Sequence, residues 1–391
     1  MTLFTLIKQA DVYTPENIGI KDILMAGGKI AAIEDEIEVP ASWGEVRTVN
    51  AAGRPAVPGL IDAHVHITGG GGEGGFRTRT PELTLSDAVQ GGVTTVVGVI
   101  GTDGTTRTMD NLVAKARSLT EEGITCYCLT GNYHVPVKTL TGAVEDDILH
   151  IDPIIGAGEI AIADHRSSQP TVNELAKVAS ASRIGGMLSG KGGSVTVHVG
   201  DGKDQLDVLE ETVSTTNLPI TQFVPTHLNR SHDLFERAVT YAKNGGYVDF
   251  TTSTVPNAAD EDELTCPKAL ESLLNQNISI TQISFTSDAQ GSLPAFDEQG
   301  NFTGLDVGRV TSLFDAVRQC VQEKGIPLET AIQTITTTPA KAQQLREKGR
   351  IAKGFDGDLV LLDQDLTIQT VIAKGDVLME EQTLLRTGTF E

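Results

Sequence analysis

The chain has 391 residues, with 52 Asp and Glu against 30 Lys and Arg, for a formal net charge of −22. That acid excess argues against polyanionic partners, nucleic acid or an anionic membrane, because both recruit clustered Lys and Arg. It leaves room for a small acidic substrate, since one or two pocket arginines can dominate a local field. Hydrophobic residues make up 39%, enough at this length for a large core, which argues against global disorder. No run approaches the ~18 uninterrupted apolar residues of a membrane span. Met1 to Leu6 meets Lys8 and Asp11 too soon for a signal-peptide core. Cys126, Cys128, Cys266 and Cys320 form no CxxC pair and read as reduced thiols. The expectation is a globular, cytoplasmic protein with no nucleic-acid or membrane partner.

The first fifty residues read as short strands and turns: Asp22 to Met25, then Gly27-Gly28-Lys29, then Ile30 to Ile33. A different grammar follows. Thr80 is placed to cap a helix with Pro81 at its first position, ended by Gly91-Gly92 and followed by a strand from Val93 to Ile100. The same unit recurs as Asn111 to Leu119 before Ile124 to Leu129, and as Leu234 to Lys243 before Tyr247 to Thr252. Such helix–strand repetition predicts an α/β fold with parallel strands, either a barrel or a doubly wound sheet. The chain then returns to strands at Leu359 to Leu362 and Thr367 to Ala373, the latter before a Lys374-Gly375-Asp376 turn. Residues 1–55 and 346–391 are therefore expected to form one small β domain, with residues 56–345 as the catalytic domain.

The strongest chemical signal is Pro58-Gly59-Leu60-Ile61-Asp62-Ala63-His64-Val65-His66. Alternate strand residues share a face, so His64 and His66 can reach one cation; alone, the pair also fits two incidental histidines. His198 ends the run from Val195, His227 ends the run from Ile220, and Asp288 follows the run from Ile278. Strand ends are where α/β barrels carry their chemistry, and four histidines with a carboxylate suit zinc or a similar cation.

With these features the chain resembles the amidohydrolase superfamily, and its Gly354-x-Asp356-x-Asp358-Leu359-Val360 segment matches that superfamily's small β domain. Longer segments resemble the isoaspartyl (β-aspartyl) dipeptidases. They are Gly69-Gly70-Gly71-Gly72-Glu73, Gly101-Thr102-Asp103, Leu129 to Pro136, Asp164-His165-Arg166-Ser167, Pro225 to Arg230 and Ser287 to Ser292. The resemblance implies a TIM-like (β/α)8 barrel with a small β-sandwich domain from both termini. It implies two divalent metal ions, zinc before others, and a homo-oligomer, an octamer by that likeness. His64, His66 and Asp288 would bind one ion, and His198 and His227 the other. Tyr133 would polarise the scissile carbonyl, Glu73 would receive the substrate's α-amino group, and Arg166, Arg230 and Ser292 would hold its carboxylates beside Thr102. Asp288 would move the proton from an activated water to the leaving amine.

One position departs from that pattern. The family typically has a carboxylated lysine seven residues before the Asp-His-Arg arginine, where this chain has Glu159. A carboxylate also offers two anionic oxygens, so Glu159 is expected to bridge both ions; the alternative is a carboxylate beside a single-metal site. The other activities open to this sequence are N-acyl amino-acid or amino-sugar deacetylation and, more remotely, a non-catalytic scaffold. Gly69 to Gly75 lacks the Gly-Lys-Ser/Thr ending of a phosphate loop and reads as a flexible presenter of Glu73. His165 reads as orienting its neighbours, and His134, His150 and His232 as structural or exposed.

Overall fold

Short runs rich in Val, Ile and Thr, buried on both faces, suit a parallel sheet covered by helices. The computed structural model describes residues 3–253, 264–296 and 302–391, and it curls such runs into a parallel sheet. The strands are Leu60–Val65, Val93–Gly98, Thr125–Thr130, Ile154–Ile162, Ser194–Val199, Phe223–Thr226, Val248–Thr251 and Ile283–Thr286. The first six pair in chain order and the last two pair with each other. Backbone bonds close the ring: Leu228 N donates to Asp249 O at 3.2 Å, and His66 N to Ala289 O at 2.9 Å. This is the TIM-like barrel that the family resemblance implies, one of the two arrangements the alternating pattern leaves open.

Helices lie between the strands, and their starts follow side-chain capping. Thr108, Thr171 and Ser231 each accept a bond from a backbone N–H in the first turn that follows. The first helix departs from expectation, running Leu85–Gln90 instead of starting beside Pro81. The Thr80 hydroxyl is engaged elsewhere, accepting from Gly70 N and donating to Gln290 O. Thr84 caps instead, in a reciprocal capping box with Asp87. The sixth and eighth strands are also shorter than the sequence reading, because Ile220–Gln222 and Ile280–Gln282 form 3-10 turns before them.

Both ends of the chain meet in a nine-stranded mixed sheet. Phe4–Tyr13, Asn17–Ala26 and Lys29–Glu34 supply one side, and Leu359–Leu362, Ile368–Ala373, Asp376–Glu380 and Thr383–Leu384 the other. Pro55–Pro58 joins the two sides, and Arg47–Asn50 runs parallel to Phe4–Tyr13. Ile7, Val12, Ile23, Met25, Leu359 and Ile372 form its core. Lys348 pins this unit to the barrel: its Nζ lies 2.7 Å from Asp356, 2.6 Å from Asp358 and 2.7 Å from Thr125 Oγ1. That contact accounts for both aspartates of the Gly354-x-Asp356-x-Asp358 turn. No helix among the described residues is long and apolar enough to cross a membrane. All four cysteines are buried, and none forms a disulfide among the described residues.

Candidate metal centre

His64 lies in the first barrel strand and His66 just beyond it; Glu159 and His198 lie in the fourth and fifth strands. His227 follows the sixth strand and Asp288 the eighth. His227 and Asp288 have φ of 66° and 53°, a left-handed backbone that costs a non-glycine residue roughly 1–3 kcal/mol. These turns aim both side chains inward.

The six side chains converge. Glu159, wholly buried, sits among all four histidines. Its Oε2 is 3.2 Å from His64 Nε2, 3.3 Å from His198 Nδ1 and 3.7 Å from His227 Nε2, while Oε1 is 3.6 Å from His66 Nε2. Asp288 Oδ1 lies 3.1 Å from His66 Nε2 and 3.6 Å from His64 Nε2. Ligand atoms of His64, His66 and Glu159, of Glu159, His198 and His227, and of His64, His227 and Asp288 are each close enough to share a cation. Gly101 makes room, for a Cβ there would stand 2.8 Å from His66 Cε1 and 3.3 Å from Glu159 Oε1.

The electrostatics demand positive charge. Burial opposes ionisation of Glu159, yet the surrounding histidines hold it well below the usual carboxylate range. Asp288 is depressed in the same way, against its burial, by His66 and His227. Burial would lower His64, but Glu159 and Asp288 together push it up to about 9. His227 goes the other way, to about 3, through burial and the charge of Arg230. His64 Nε2, Glu159 Oε1 and Asp288 Oδ1 are buried without a hydrogen-bond partner among the described residues. Unpaired buried acceptors of this kind are costly unless something binds them, so the donor set fits divalent cations.

The remaining predicted residues surround this cluster unevenly. Tyr133, buried, places its hydroxyl 2.9 Å from His198 Nδ1. Burial, reinforced by Glu159, pushes that hydroxyl well above its ordinary value, so it stays protonated. Arg166 stacks over the Tyr133 ring at 5.3 Å and reaches Glu73 Oε1 at 3.3 Å. Arg230 is half-buried and finds no ion-pair partner among the described residues. Ser292 opens the Ser292–Phe296 strand, its Cβ 3.1 Å from where a Gly71 Cβ would stand. Thr102 is half-buried in the loop after the second strand. His165 is exposed, 3.6 Å from Asp164, and His134, also exposed, bonds Arg166 O at 3.0 Å.

Three residues escape the sequence reading. Asp164 contacts both His198 and Arg166 (2.9 and 2.7 Å), and only its adjacency to the arginine hinted at this. Thr251 Oγ1 meets His227 Nδ1 at 2.6 Å, its signal being a hydroxyl at the end of a barrel strand. Asp62, raised to about 7 by burial, accepts from Ser287 N at 3.1 Å and so ties the first strand to the segment bearing Asp288.

A model described as the amidohydrolase family matches residues 56–378. The fold superposes, with a TM-score of 0.90, on a β-aspartyl dipeptidase from Fervidobacterium islandicum AW-1 in complex with β-Asp-Leu dipeptide. The two chains are 45% identical, and the alignment covers 98% of each. An allantoinase from Deinococcus radiodurans is 25% identical across 95% of this chain and 89% of its own. A dihydroorotase from Elusimicrobium minutum is 38% identical over a segment covering 27% of this chain and 24% of that relative's length. With a match over most of its length, and the histidines and carboxylates for a metal site in its barrel, the chain belongs to the amidohydrolase family of metal-dependent hydrolases.

Proposed function

We propose that the chain hydrolyses the β-aspartyl peptide bond of dipeptides with a free N-terminus. The observation that carries this reading is the charge arrangement beside the metal cluster. Arg166 is held between Glu73 and the Tyr133 ring, and the Arg230 side chain has no ion-pair partner among the described residues. A β-aspartyl dipeptide presents two carboxylates and one ammonium; the arginines suit the former, by bidentate pairing, and Glu73 the latter. The 45% identity to a dipeptidase structure containing β-Asp-Leu supports the same substrate.

His64, His66 and Asp288 would hold one divalent ion and His198 with His227 the other, Glu159 serving both. Bound there, such ions lower the pKa of water toward neutrality and polarise a carbonyl. Asp288, its carboxyl held ionised, takes the proton of the attacking water and returns it to the leaving amine. With His198 serving as a metal ligand, the protonated Tyr133 hydroxyl would be free to donate to the developing oxyanion. Glu73 selects for the free amine, which excludes internal bonds of longer peptides.

The test compares β-Asp-Leu, α-Asp-Leu and N-acetyl-Asp as substrates of the metal-loaded protein, with allantoin and dihydroorotate alongside. Turnover of β-Asp-Leu at least a hundredfold faster than the rest is expected. Turnover of the acetylated or cyclic compounds without β-Asp-Leu would overturn the reading.

A further inference from the structure

We propose that Asp164 is a positioning residue that joins the substrate-carboxylate site to the metal centre, holding Arg166 and His198 through one buried carboxylate. The proposal rests on the dipeptidase reading for the role of Arg166, but not for that of His198.

Asp164 follows the fourth strand and is only 3% exposed. Its Oδ1 accepts from Arg166 N at 2.7 Å and Arg166 Nε at 2.9 Å, while Oδ2 accepts from the guanidinium at 2.7 Å. The same Oδ2 lies 2.9 Å from His198 Nε2. A carboxylate accepts only, so His198 Nε2 must carry a proton, which leaves the lone pair on Nδ1. Nδ1 is the nitrogen that faces Glu159 and Tyr133. One carboxylate thus selects the tautomer of a candidate ligand and fixes the plane of the arginine. The backbone is built for this contact. Gly200, two residues after His198, packs so tightly that a Cβ there would stand 2.6 Å from Asp164 Cβ. Gly202 N also donates to Ala163 O at 2.7 Å, locking the two loops together.

Carboxylates that orient metal-binding histidines typically change metal affinity 10–100-fold when altered. The test uses Asp164→Asn and Arg166→Ala, loaded with cobalt(II). Retention is followed by chelator competition, the visible cobalt spectrum is recorded, and kcat and KM are measured on β-Asp-Leu. Asp164→Asn is expected to weaken retention of one cobalt ion 10–100-fold, alter the spectrum, and raise KM about tenfold. Arg166→Ala is expected to raise KM with cobalt retention unchanged. Wild-type cobalt retention and spectrum in Asp164→Asn would overturn the proposal, whether KM rises or only the melting temperature moves. A wild-type chain inert toward β-Asp-Leu would sink the dipeptidase reading instead, while cobalt retention would still decide whether Asp164 positions His198.

Discussion

On the proposed function, Tyr133 is the residue whose removal isolates chemistry from binding. Its hydroxyl is buried and held in the protonated form, and the ring keeps Arg166 stacked. Tyr133→Phe keeps the ring, so kcat should fall about 10²–10³-fold, with KM and metal content near wild type. Steady-state kinetics with metal analysis check this. On the proposed function, Glu73 acts on the substrate's other end. Glu73→Gln should raise KM for β-Asp-Leu about tenfold by removing a charged hydrogen bond, and N-acetylated inhibitors should then compete better relative to free amines. At this scale the sequence is legible wherever a residue's meaning is local. His64, His198 and His227 each sit in or just past an apolar strand, and Glu159 stands at a fixed offset from Arg166. Asp164, Thr251 and Asp62 are not legible, because each takes its role from a partner that only folding brings near. Thr251 meets His227 across neighbouring strands, and Asp62 meets Ser287 across the closure of the barrel.

Elements are joined by a buried ion cluster. Burial opposes the charge on Lys348, yet Asp358 and Asp356 raise it above 10.5. Burial likewise opposes ionisation of Asp356, which Lys348 and Lys29 hold below 3.8. The Lys348 contribution is complete below pH 10.5 and disappears as pH rises through its raised value. The Asp356 contribution is complete above pH 3.8 and disappears as pH falls through its depressed value. Lys348→Met leaves Asp358 without its ion-pair partner and Asp356 with Lys29 alone, so it should cost about 3 kcal/mol at pH 7, and the gap from wild type should narrow near pH 3. Denaturant unfolding at both pH values measures it. The helix–strand alternation and both β ends are readable from turn residues and apolar runs. The start of the first helix is not, because Thr80 and Thr84 are equally good caps until Gly70 and Gln290 engage Thr80.

For the whole molecule, the metal centre is both site and keystone. It draws on five of the eight barrel strands or the turns just after them, so stripping the ions would leave the buried Glu159 and the partly buried Asp288 with only the histidines, His64 foremost, to balance their charge. Ions held at about a thousand times their dissociation constant contribute roughly 4 kcal/mol, so chelation should lower the melting temperature and zinc should restore it. Differential scanning calorimetry with and without chelator reads this directly. The net charge of −22 is visible in composition alone, but the gathering of Arg166 and Arg230 near Tyr133 is not, because the two lie far apart in the chain. We propose that a single glutamate, Glu159, serves both ions with its own carboxylate. Metal analysis of the fully active protein in bicarbonate-free buffer, beside Glu159→Gln, tests it. The prediction is two ions per chain with undiminished β-Asp-Leu turnover, and loss of both in the variant; full activity with clearly fewer than two ions per chain, or an unaffected Glu159→Gln, would contradict it.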